Sequence, residues 1–135
     1  MQDHVRLIRS MSLSDVAQYA YASSVQPDSR LVFPAGACPL DGDGHTVAPG
    51  DYAAQAAACV ENLRLALDAA GARLEDVAYT RVLVASTQQR DLVTAWDVVR
   101  AAFGDHDVPS TLMGVTVLGY DDQLVEIEAV AAVAG

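Results

Sequence analysis

Lysine is missing altogether from these 135 residues, and the eight basic side chains are all arginine. That absence removes Schiff-base catalysis and the lysine of a phosphate-binding P-loop. Positive charge is scarce as well, for the formal net charge is −10. Such a balance repels phosphate backbones and anionic lipid, so neither a nucleic-acid partner nor a membrane surface is expected. Cys38 and Cys59 are the only cysteines. They form neither a C-x-x-C pair nor a secreted disulfide framework. His4, His45 and His106 lie in separate segments without zinc-ligand spacing, so no metal is expected. The Asp41-Gly42-Asp43-Gly44 run lacks the further acidic ligands of a calcium loop and reads as a hairpin turn. No serine sits in a G-x-S-x-G elbow. There is no basic-then-apolar leader and no apolar run of about 18 residues. The expectation is a soluble cytoplasmic protein with reduced thiols.

What the chain does have is apolar content, with 52% hydrophobic residues against 19% charged. One domain over residues 1–135 can bury a proper core at that length. A chain this apolar also predicts exposed greasy surface that other copies would cover.

The pattern predicts a strand order β-β-(β)-α-β-α-β-β. His4 to Ser10 gives a weak strand signal. Tyr19 to Ser23 begins a clearer strand, with both tyrosines on one face. Arg30 to Gly36 is the next, and Pro34 inside it argues for an edge or a bulge. From Asp51 to Ala70 the period becomes 3.6, with Ala56, Val60, Leu63, Leu67 and Ala70 on one stripe. Asp51 caps the start and Gly71 follows the end. Val77 to Ala85 is β-branched and of strand length. A second helix runs from about Gln88 to Phe103, with Ser86 and Gln89 as a capping box and Leu92, Trp96, Val99 and Phe103 as its stripe. On that stripe Trp96 reads as core, as does Cys59 on the first helix. Cys38 reads as a small structural thiol.

The last stretch, Val108 to Val133, reads as two strands joined by a turn at Gly119 to Asp122. Period-2 geometry puts Glu126 and Glu128 on one face of the second strand and Val125, Ile127 and Ala129 on the other. Carboxylates in so apolar a strand require water, a partner subunit or a site. The whole predicts a two-layer α+β domain, with two helices on one face of a mixed sheet and the other face open.

Several segments, in this order and spacing, resemble the Rid family, the RidA or YjgF-type reactive-intermediate deaminases. They are Ala35-Gly36-Ala37-Cys38-Pro39, Asp51, Gln55-Ala56, Glu61-Asn62-Leu63, Ala69-Ala70-Gly71, Asp76-Val77, Pro109-Ser110-Thr111 and Val125-Glu126-Ile127-Glu128-Ala129. The match spans Tyr19 to Val133. The resemblance implies a chorismate-mutase-like fold, a homotrimer, and small-molecule clefts between subunits. It also implies cofactor-free hydrolysis of 2-imino acids to 2-keto acids. By that resemblance Glu126 is the glutamate that positions water, and Tyr19, Ala35, Gly36, Thr111 and Met113 meet the substrate. The family's motif Pro-Ala-Arg ends in an arginine that clamps the substrate carboxylate, and Thr111 stands in its place. A hydroxyl cannot reproduce a guanidinium's two parallel charge-assisted bonds. The expectation is therefore a retuned enzyme for an imine or enamine without that clamp, or a trimer that binds without turnover. The ribonuclease activity sometimes attributed to the family sits poorly with a net charge of −10.

Overall fold

A computed structural model describes residues 3–16 and 18–135. Along the chain run β1 (Val5–Ile8), β2 (Ala22–Val25), β3 (Ser29–Val32), α1 (Tyr52–Ala69), a 3-10 turn at Leu74–Asp76, β4 (Val77–Ala85), α2 (Gln89–Phe103), β5 (Ser110–Val115) and β6 (Val125–Ala134).

The first helix begins where its cap predicts, because the Asp51 carboxylate accepts from the Ala54 amide at 2.9 Å. It ends before Gly71, whose φ of +78° suits glycine. Ala56, Val60, Leu63 and Leu67 are buried, together with Cys59 and Gln55. Gln55 is a fully buried amide with its partners in place. It donates to the carbonyls of Ala48 and Asp122 and accepts from the Leu124 amide at 2.7 Å. That fixes the entry to β6 against the helix layer.

The capping box at the second helix is a correction. Gln88 is the N-cap and gives no side-chain cap, while Ser86 stands two residues too early. Its hydroxyl accepts from the Gln88 amide and donates to Asp91, so it shapes the turn into the helix instead.

Four strands form a mixed sheet in the order β3-β6-β4-β5, in which β4 and β5 are parallel and the other pairs antiparallel. The two strands of the final stretch are therefore not neighbours, since β4 lies between them. The turn between them is real, with the Gln123 amide bonded to the Tyr120 carbonyl. β5 also stops at Val115, short of the turn expected from Gly119. β1 and β2 pair separately, and the Ser23 hydroxyl ties them to the Ala78 carbonyl. The strand expected from Tyr19 begins at Ala22, leaving Tyr19 in the preceding segment. β3 is an edge strand and ends before Pro34, which has no amide for the ladder. The chain rejoins β6 at Ala37, which exchanges two backbone bonds with Ile127.

α1 packs on β6, and α2 on β4 and β5. Between the layers lie Leu63, Leu67, Val82, Val84, Val99, Val125 and Ile127. The alternation of strand side chains sends the others to the opposite face, which no helix covers. Exposed apolar side chains there include Leu31, Phe33 and Tyr79, with Phe33 71% accessible.

Candidate functional site

Strand register sets two rows of side chains across the open face. Thr111, Arg81 and Glu128 are consecutive partners in one row, and Met113, Leu83 and Glu126 in the next. The two glutamates, alike in sequence, have different surroundings. Glu128 holds Arg81 through bonds of 2.9 and 3.0 Å to Nη2 and 3.3 Å to Nε. These hydrogen bonds and the carboxylate's charge raise the guanidinium's pKa above its ordinary value. The cation beside Thr111 is thus already neutralised. Thr111 itself shares a 2.8 Å hydrogen bond with the Tyr79 hydroxyl.

Glu126 is seated against the segment that follows β3. Its Oε1 accepts from the Cys38 thiol at 3.3 Å and from the Gln123 amide at 3.2 Å. A Cβ on Gly36 would overlap Oε2 and lie 2.9 Å from Cδ, so glycine is what admits the carboxylate. Ala35 is exposed, one residue before that contact. Asn62 holds the segment from the helix side, donating to the Cys38 and Leu40 carbonyls at 2.8 and 2.9 Å.

Burial, followed by the hydrogen bond to Glu126 and that group's negative charge, pushes the Cys38 thiol up to about 11. Below that pH the thiol is neutral and able to donate. Cys38 should accordingly alkylate with a midpoint near pH 11, read residue by residue by mass spectrometry. In Glu126→Gln the midpoint should fall towards the ordinary thiol value, and an unchanged midpoint would contradict the contact. Cys59, buried and donating to the Val125 carbonyl, is pushed up by burial and serves as the unreactive internal control.

A concavity of about 430 Å³ lies at the outer edge of β5, lined by Tyr19, Trp96, Ser110, Thr111 and Leu112. Trp96 meets Tyr19 edge to face, with centroids 6.1 Å apart, and donates from its indole nitrogen to Gln18. The tryptophan read as core is therefore half core and half wall. Ser110 accepts from Thr80 at 2.8 Å.

The expected site residues thus fall into two groups. Gly36 meets Glu126, and Tyr19 and Thr111 line one concavity. Met113 lies in the row of Glu126, with Leu83 between them. The concavity that Tyr19 and Thr111 line has neither Gly36 nor Glu126 among its lining residues. Cys38, Gln123, Tyr79, Arg81 and Trp96 are additions that sequence reading did not assign to a site. Asp41, Asp43 and His45 come within 4.8 Å of one another at the surface. There Asp41 accepts from the Asp43 and His45 amides, as a turn residue does.

Comparison with known proteins supplies the relatives. The family pattern described as Endoribonuclease L-PSP matches residues 12–133. A RutC family protein of Pyrococcus abyssi is 29% identical over 116 residues, covering 86% of this chain and 87% of its own. The crystal structure of YyfB from Yersinia pestis, described as a protein of unknown function of the conserved Rid family, is 26% identical. It superposes with a TM-score of 0.88, covering 96% of this chain and 99% of that one. A member of the YjgF/YER057c/UK114 family from Mycobacterium tuberculosis is 31% identical, with a TM-score of 0.63 and the same coverage. No helix among the described residues is long and apolar enough to cross a membrane.

Proposed function

This chain belongs to the Rid (endoribonuclease L-PSP) family, and from that premise we propose that it hydrolyses a small reactive imine or enamine in clefts between the subunits of a homotrimer. The observation that carries the reading is the seat of Glu126. Two donors converge on Oε1, and a glycine makes room for the carboxylate, which is more order than a solvated surface glutamate has. In the reaction Glu126 takes a proton from water as the oxygen adds to the C=N carbon. Returning that proton to nitrogen gives a carbinolamine, which collapses to the carbonyl compound and releases ammonia or an amine. The standard 2-imino acid is a poor substrate, because Thr111 offers a hydroxyl and the adjacent Arg81 is committed to Glu128. Trimerisation supports the same reading. It would cover Leu31, Phe33 and Tyr79 on the open face and bring the Glu126 cluster of one chain towards the Thr111 pocket of the next.

The test uses imines generated in situ by amine and amino-acid oxidases, with semicarbazide competing for them. Wild type should accelerate loss of at least one neutral imine, and Glu126→Ala should not. Equal rates in both proteins would sink the assignment. Sedimentation equilibrium should return three times the chain mass of 14.2 kDa. A monomer would remove the shared cleft. The pairing of Arg81, the register neighbour of Thr111, with Glu128 favours one alternative, a trimer that binds its ligand without turnover. Its signature is ligand-induced thermal stabilisation with no product from any imine.

A further inference from the structure

The pocket at the edge of β5 has a chemistry of its own that narrows the ligand. Its described lining residues are one indole, one phenol, two hydroxyls and a leucine, with no carboxylate, imidazole or guanidinium among them. The hydroxyls are arranged to give and to take. Ser110 already accepts from Thr80, so its own proton remains to be donated. Thr111 and Tyr79 share a single hydrogen bond, which leaves one proton and several lone pairs between them. β5 is also the terminal strand of its sheet, and such a strand turns alternate backbone N–H and C=O groups outward. Every polar group here is neutral and most can act in both senses. The aromatic pair Trp96 and Tyr19 supplies flat apolar wall.

Among the described residues no cation lines this pocket to meet an anion. Arg81, next to Thr111 in register, is held bidentately by Glu128. Arg100 lines a separate small cavity beyond Trp96, where Asp107 is also found. The chain's net charge of −10 adds a general field against anions.

We propose that this pocket selects a neutral, planar ligand that carries a hydrogen-bond donor and acceptor of the amide, imine or enamine kind beside an apolar or aromatic group, with Trp96 as its stacking wall. The inference rests on the proposed function only in placing the ligand of that site here. It concerns binding, so it is read separately from turnover.

Trp96 is the only tryptophan, so its fluorescence reports on the pocket directly. The experiment titrates the full chain with phenylacetamide and, at matched ionic strength, with phenylacetate. These share a ring and differ in charge. Phenylacetamide should give a saturable change at a concentration about tenfold below that needed for phenylacetate, a difference of about 1.4 kcal/mol. Thr111→Val should weaken the amide, and Thr111→Arg should reverse the preference. Neither compound is an imine and the readout is fluorescence, not turnover, so a failure of hydrolysis and a failure of this pocket are distinguished. Because Thr111 is exposed, its variants are expected to fold, and a thermal melt checks that. Equal or tighter binding of phenylacetate, or no saturable response to phenylacetamide, would overturn the proposal. If phenylacetate binding disappears in Arg100→Ala, the missing cation is Arg100.

Discussion

An arginine at position 111 should make the protein process 2-imino carboxylates that the native chain handles poorly. β5 would carry the new guanidinium at the wall of the Tyr19–Trp96 pocket. Arg81, its neighbour in register, would not repel it strongly, since Glu128 already neutralises that charge. A guanidinium grips a carboxylate through two parallel charge-assisted bonds, whereas the native hydroxyl gives one neutral bond. Truncating a desolvated partner of this kind costs on the order of 2–5 kcal/mol, so restoring it should tighten capture by roughly thirty- to several-thousand-fold. The gain is measured as lower semicarbazide trapping when an amino-acid oxidase supplies the imine. It should vanish in Thr111→Arg/Glu126→Ala if both residues serve one cleft. A wild type already as active as Thr111→Arg would show that another group binds the carboxylate.

Gly36→Ala should silence Glu126 without unfolding the domain. The added Cβ would stand where Oε2 now is and 2.9 Å from Cδ, so the carboxylate must leave its seat. It can do so cheaply, because the obstructed atoms are the end of a flexible side chain and the φ of Gly36 is not in the left-handed region. The displaced glutamate loses its bonds from Cys38 and Gln123. Displacing a catalytic group by about 1 Å costs on the order of a hundredfold in rate, which sets the expected loss of Glu126-dependent turnover. The melting temperature should move by no more than a few degrees. The Cys38 alkylation midpoint should drop at the same time, since its partner has gone. Unchanged turnover and alkylation would mean that Glu126 works from another position.

Local chemistry made much of this architecture legible. Asp51 and Gly71 bracket the first helix because capping is a short-range effect, and Leu63 and Leu67 mark its buried face by spacing alone. β4 matches its β-branched run from Val77 to Ala85. Strand order was out of reach, because a turn between β5 and β6 is equally compatible with a hairpin or with a third strand slipping between them. The roles of the two glutamates were hidden for a related reason. Arg81 finds Glu128 across 47 positions and Cys38 finds Glu126 across 88, and only the sheet register makes them neighbours. Trp96 misled because its position on the apolar stripe is true of one side of the ring only. At Ser86 the spacing of a capping box was present, but Asp91 engages the hydroxyl.

The place of β6 between β3 and β4 also governs how the protein can be made. During translation β3 and the β4–β5 pair emerge first, yet the strand that joins them is synthesised after all of them. Until residues 125–134 leave the ribosome, Leu63 and Leu67 have no Val125 or Ile127 to pack against. A nascent chain halted before residue 125 carries two unjoined strand edges and an uncovered helix face, the features that holdase chaperones recognise and that aggregate when left exposed. Folding of this sheet is thereby deferred until β6 has been synthesised.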